Sequence, residues 1–103
     1  ARLYEDKHIV ELGSRSGDGM ACFSQRARKA VAVEYNPTYC AKLWELQAEQ
    51  TRAGLGGFEV QCDDFRAVDL RQAEYITWWQ QTPLTNEAVL GFLRHEYDAG
   101  RLS

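Results

Sequence analysis

Long hydrophobic runs are missing from this chain of 103 residues. No apolar stretch approaches the roughly 18 residues that a membrane span requires, and the N-terminus has no basic-then-apolar leader pattern. A soluble intracellular protein, cytoplasmic by default, is the expectation. Positive charge is not in excess either: the formal net charge is −3 and the pI is near 5.3. Arg26, Arg28 and Lys29 are scattered rather than part of a basic tail. That balance argues against a face that holds nucleic acid by neutralising phosphates. Cysteine is sparse, and Cys22, Cys40 and Cys62 lie far apart without a Cys-x-x-Cys spacing. Such spacing fits buried, reduced thiols in a reducing compartment better than a zinc site or a disulfide framework, and no metal is expected. The chain opens on Ala1 without a methionine, as expected of a trimmed or partial product.

What is present is a regular alternation of strand and helix signals, with 45% hydrophobic and 26% charged residues. Length and composition predict one globular domain over residues 1–103. His8 to Leu12 is a short apolar run stopped by glycine, the pattern of a buried parallel strand. Met20, Phe23 and Ala27 then recur at helical spacing between Gly19 and about Arg28. Lys29 to Glu34 reads as a second strand. Asn36-Pro37 starts a helix that runs to about Ala53, with Cys40, Leu43, Trp44 and Gln47 on one face and Gly54 as its stop. Phe58 to Cys62 and Ala73 to Trp79 read as strands three and four. Thr85 caps a last helix through about Ala99, whose apolar stripe is Val89, Phe92, Leu93 and Tyr97. The expected fold is α/β: a Rossmann-like parallel sheet with helices on both faces, ending after the fourth strand and its helix.

In such sheets ligands bind beyond the carboxyl ends of the strands, where the strand order reverses. The first strand is followed by Gly13-Ser14-Arg15-Ser16-Gly17-Asp18-Gly19. Glycine lets a backbone come close to a ligand and tolerates positive φ, and the exposed amides of the loop and the start of the next helix suit a carboxylate or phosphate. Read alone, the loop fits an ordinary strand-to-helix turn as well as it fits a cofactor loop. Glu34 lies 34 − 11 = 23 residues after Glu11 and is placed to accept hydrogen bonds from a ribose diol. Together they predict a nucleoside-containing cofactor. The spacing G-x-x-x-G-x-G fits the dinucleotide fingerprint of NAD poorly, and no Gly-Lys-Ser/Thr follows to make a P-loop.

On these residues the chain resembles the seven-β-strand, class I S-adenosylmethionine-dependent methyltransferases, from about Lys7 to Gly100. Their first motif is similar to acid-x-Gly-x-Gly-x-Gly. Here it aligns as Glu11, Gly13, Arg15 and Gly17, with Arg15 in place of the middle glycine, or with a two-residue insertion so that Gly17-Asp18-Gly19 completes it. The resemblance implies S-adenosylmethionine as cofactor, with Glu11, Gly13, Ser14, Arg15, Ser16, Gly17 and Gly19 around its methionine part. It also implies Glu34 and Tyr35 at the ribose. Asp63, with Asp64 as rival, would lie near the adenine amine, and Phe65 against the ring. Val33-Glu34-Tyr35-Asn36-Pro37 looks like a segment of a small group of protein lysine methyltransferases, which implies a protein lysine as acceptor.

An acceptor pocket is implied at Trp79, Gln80, Thr82 and Pro83, where aromatic walls stabilise cationic centres. No general base is evident, so the catalytic residue is left unassigned. His8 and His95 have no apparent partner. Two further readings stand beside this one: a non-catalytic interaction module of the same fold, favoured by Arg15, and an NAD-dependent oxidoreductase domain. A fourth strand left at the sheet edge with Tyr75, Ile76, Trp78 and Trp79 would invite pairing with a second copy.

Overall fold

The computed structural model describes residues 5–15, 17–78 and 83–102. Strands β1 (His8–Leu12), β2 (Lys29–Val33), β3 (Glu59–Gln61) and β4 (Tyr75–Trp78) form one sheet in the order β3-β2-β1-β4. Every pairing is parallel, with Val10 opposite Val31 and Ile76. Helices α1 (Asp18–Phe23) and α2 (Pro37–Ala53) follow β1 and β2, a single 3-10 turn (Phe65–Ala67) follows β3, and α3 (Pro83–Asp98) follows β4. The expected α/β architecture is therefore observed. The order reverses at β1, whose two neighbours are β2 and β4, so the switch point lies at the carboxyl end of the β1–β4 pair.

The alternation of side chains along each strand sorts the core into two layers. Val10, Leu12, Val31 and Val33 face a layer made by Val68 and Leu70 of the β3–β4 crossover and by Val89 and Phe92 of α3. Ala30 and Ala32 face the other way, towards Met20 of α1, Leu43 of α2 and Phe58. The short alanines leave room for those helices to sit close to the sheet. Full burial of a side chain such as Leu43 or Met20 contributes about 1.5–3 kcal/mol.

Helix α2 has the predicted limits, because both of its ends are written locally. Asn36 Oδ1 accepts from the amides of Thr38 and Tyr39, Pro37 follows, and Gly54 closes the helix with φ +70. Helix α1 is shorter than expected and ends at Phe23. Ser24 turns inward instead, its Oγ donating to Gln50 Oε1 of α2 at 2.7 Å in a buried contact. Helix α3 begins at Pro83, so Thr85 is its third residue and not its cap.

The apolar stripes also differ in detail. Trp44 is 52% exposed and Tyr97 64%, while Gln50 and Glu96 are buried in their helices. Glu96 is covered because Arg101 folds back to donate to its Oε2. Trp78 is half-buried, packs on the α3 layer, and donates its indole N–H to Asn86 Oδ1 at 2.9 Å. His8 is buried, and its backbone amide donates to Glu74 Oε1, which with Arg28 holds the Glu74 carboxyl below its ordinary range.

The expectation of three reduced, buried thiols is corrected. Cys40 in the first turn of α2 and Cys62 just past β3 form a disulfide, with Cα atoms 5.9 Å apart across a sequence separation of 22. The pair forms because α2 starts directly after β2, and β3 lies beside β2. Cys22 is free but exposed. No helix among the described residues is long and apolar enough to cross a membrane.

Closing a loop of this size stabilises the folded chain by about 3 kcal/mol through the unfolded state. Chemical denaturation with and without a dithiol reductant should show a clear fall in midpoint on reduction. An unchanged midpoint, with both thiols alkylated afterwards, would contradict that contribution.

Candidate functional site

The loop after β1 continues the sheet before it turns. The amides of Gly13 and Ser14 both donate to Val33 O, at 2.7 and 3.1 Å. Ser14 then opens a turn closed by Gly17 N donating to Ser14 O at 3.1 Å, and the buried Ser14 Oγ donates to Glu11 O. Three alternate residues take the left-handed conformation: Gly13 (φ +72), Arg15 (φ +54) and Gly17 (φ +94). Arg15 holds the backbone conformation that glycine adopts most readily, so residues 13, 15 and 17 share one left-handed backbone pattern.

The two glycines serve different ends. A Cβ on Gly17 would stand 2.6 Å from Leu46 Cδ2 and 3.0 Å from Leu43 Cδ2, so this glycine lets α2 pack against the loop. A Cβ on Gly13 would meet nothing within 4 Å. Among the described residues, nothing therefore covers the Cβ side of Gly13.

Glu34, just past β2, is 7% exposed and clasps this loop. Its Oε1 accepts from the Arg15 amide at 2.6 Å and its Oε2 from the Asn36 amide at 3.0 Å. Each carboxylate oxygen keeps a second lone pair for another donor. Glu11, 2% exposed, lies in β1 opposite Ala32 and Thr77. Gly19 is the second residue of α1. Ser16 lies outside the described residues, as do Trp79, Gln80 and Thr82 of the expected acceptor pocket, and Pro83 is the first residue of α3.

Beside Glu34, Tyr35, Asp64, Phe65 and Arg66 line a cleft of about 350 Å³. Tyr35 is 76% exposed. Phe65 is half-buried, edge-on to Phe92 at 5.4 Å, with the Arg66 guanidinium 5.8 Å above its ring. The two candidate acids are distinguished by their commitments. Asp64 caps the 3-10 turn through the Arg66 amide and binds the Arg66 guanidinium through both oxygens, and that side-chain pairing lowers its pKa to about 2. Stability from this pairing is present above the ordinary carboxylate pKa and is lost as pH falls through about 2. Asp63 is exposed, and among the described residues its Oδ1 accepts only from the Asp64 amide. Of the two, Asp63 has the acceptor capacity for a ligand amine. The sequence reading missed Arg66, although an acid at a turn start with arginine two residues on was the available signal.

Two buried donors at the carboxyl end of the β1–β4 pair find no hydrogen-bond partner among the described residues: Arg15 Nε and Thr77 Oγ1. A buried donor without a partner costs about 1–3 kcal/mol. A larger hollow of about 820 Å³ opens between the crossover and α3, lined by Arg71, His95 and Arg101 among others. None of the sequence-predicted site residues line it, and its arginines are paired with Asp64, Asp69 and Glu96.

No protein-family model matches the chain, and no curated protein matches it in sequence. Solved structures do match its fold. An RNA methyltransferase from Salinibacter ruber, crystallised with S-adenosyl-L-homocysteine, is similar with a TM-score of 0.77 at 20% identity, covering 98% of this chain and 62% of that one. An rRNA methylase from Streptococcus thermophilus is similar with a TM-score of 0.65 at 16% identity, covering 99% of this chain and 59% of its own. The chain thus shares the α/β fold of these two structures, and it spans about 60% of their length.

The two glycines give opposite expectations. Gly17→Ala should cost about 2–5 kcal/mol, left-handed strain of about 1–2 together with overpacking against α2 of about 1–3. Gly13→Ala should cost only the left-handed strain of about 1–2 kcal/mol. Thermal melts of both variants check this, and equal shifts would contradict the packing role of Gly17.

Proposed function

We propose that residues 1–103 form a single S-adenosylmethionine-binding domain of methyltransferase type. The observation that carries this reading is the loop with left-handed residues at 13, 15 and 17, clasped by Glu34 beside the switch point, with nothing among the described residues covering the Cβ side of Gly13. The residues present fit the cofactor. The loop from Glu11 to Gly19 would hold its methionine part, the spare lone pairs of Glu34 the ribose hydroxyls, and Asp63 the adenine amine. Tyr35 and Phe65 would flank the ring in the cleft that they line. The neighbour crystallised with S-adenosyl-L-homocysteine supports the choice of cofactor.

When bound, the cofactor supplies an electrophilic methyl group for in-line displacement. The protein's task in such a reaction is to fix the methyl and the nucleophile in an attack geometry and to keep water out. The loop, held through the Arg15 amide by the buried Glu34, would serve the first part. As acceptor we favour RNA, because both neighbours are described as acting on RNA; this revises the expectation, drawn from the net charge of −3, that the chain has no nucleic-acid partner. The resemblance of Val33 to Pro37 to lysine methyltransferases has a local explanation here, since Asn36 and Pro37 start α2.

Calorimetric titration with S-adenosylmethionine, S-adenosylhomocysteine and NAD tests the cofactor. Binding of the first two and not the third is expected. No binding in a sample folded by circular dichroism would contradict the proposal and leave the interaction-module reading. Glu34→Ala should weaken binding by about 1–3 kcal/mol, because both the loop clasp and the ribose acceptor are lost. An unchanged affinity would make the ribose assignment wrong.

A further inference from the structure

Arg15 is the one residue of the loop motif whose side chain the glycine pattern does not explain. Its backbone does what a glycine would do, at φ +54 with its amide on Glu34 Oε1 at 2.6 Å. A non-glycine residue is strained there, so the side chain needs its own reason to be present. Its Nε is buried without a hydrogen-bond partner, and Arg15 forms no ion pair among the described residues. Five described arginines pair with an acid, Arg26 with Glu5, Arg28 with Glu74, Arg66 with Asp64, Arg71 with Asp69 and Arg101 with Glu96; Arg52 and Arg94 have no ion pair among the described residues but are exposed, whereas Arg15 is half-buried. A guanidinium always carries charge and presents donors in a fork that matches a carboxylate. A partly buried one with an orphaned donor is therefore set up for an anion that the described residues do not supply.

Resting on the cofactor reading above, we propose that Arg15 is the binding residue for the α-carboxylate of the cofactor's methionine part. The assignment follows from position and chemistry together. Arg15 sits two residues past Gly13, whose Cβ side nothing covers among the described residues, and on the loop that the reading places around the amino-acid end of the ligand. That end carries the ligand's only carboxylate. Thr77 Oγ1, a second buried donor without a partner, lies near the same strand ends. Arg15 then acts as a specificity residue: it distinguishes ligands that carry the amino-acid tail from adenine nucleosides that lack it.

The test compares two probes, S-adenosylhomocysteine and 5′-methylthioadenosine, which keeps the adenosine and sulfur but has no carboxylate. Arg15→Gly removes the guanidinium and suits the left-handed backbone, so it should fold at least as well as the parent by thermal melt. Arg15→Asn, another residue that tolerates this conformation, is the second variant. In both, the Kd of S-adenosylhomocysteine should rise about 10-fold to 100-fold, as for loss of a charged hydrogen-bond pair, while that of 5′-methylthioadenosine stays unchanged. An unchanged Kd for S-adenosylhomocysteine would overturn the proposal, as would an equal loss for both probes. If the parent chain binds neither probe, the cofactor reading fails first and the proposal with it.

Discussion

The carboxylate of Glu34 joins the loop after β1 to the start of α2. One oxygen takes the amide of Arg15 at 2.6 Å and the other the amide of Asn36 at 3.0 Å, so the loop after β1 and the start of α2 are fixed to the end of β2. Charge-assisted bonds of this kind are stronger than neutral ones, and burial strengthens them further. Much of the site follows from this clasp. With Arg15 held, the backbone at 13, 15 and 17 keeps its alternate left-handed turns. With Asn36 held, its side chain is free to cap α2, and Tyr35 is left between the two bonds facing outward.

The rest of the fold presents this clasp in one orientation. Gly17 lets Leu43 and Leu46 of α2 come against the loop, and the Cys40–Cys62 bridge ties the same helix to the end of β3, one residue before Asp63. On the opposite face the crossover layer and α3 bury Phe65 against Phe92, which sets one wall of the cleft beside Tyr35. The site is therefore assembled from loops whose positions are fixed by packing on both faces of a single sheet. A four-stranded sheet with a switch at β1 is enough to do this.

Features governed by neighbours in sequence were legible without coordinates. Asn36, Pro37 and Gly54 bound α2 because capping is local chemistry, and β1 and β2 stood out as short apolar runs. Features governed by distant partners were not. Helix α1 stops early because Ser24 bonds to Gln50, and Cys40 meets Cys62 only because strand order brings them together. Tyr97, expected on the apolar stripe, is exposed, and Glu96 beside it is buried where Arg101, beyond the helix, covers the acid. At the site, Glu34, the glycine loop and the acids after β3 were all named from the sequence. What the sequence lacked was the division of labour within them: that Asp64 is committed to Arg66, and that Arg15 is glycine-like in backbone yet carries an orphaned donor.

The central claim is that the loop clasped by Glu34 is the cradle of a nucleoside cofactor. A crystal structure of the chain grown with S-adenosylhomocysteine addresses it directly. The account predicts density for the ligand above Gly13, with its ribose hydroxyls on Glu34 and its adenine in the cleft beside Tyr35 and Phe65. Ligand density confined to the hollow lined by Arg71, His95 and Arg101, with the loop bare, would contradict it.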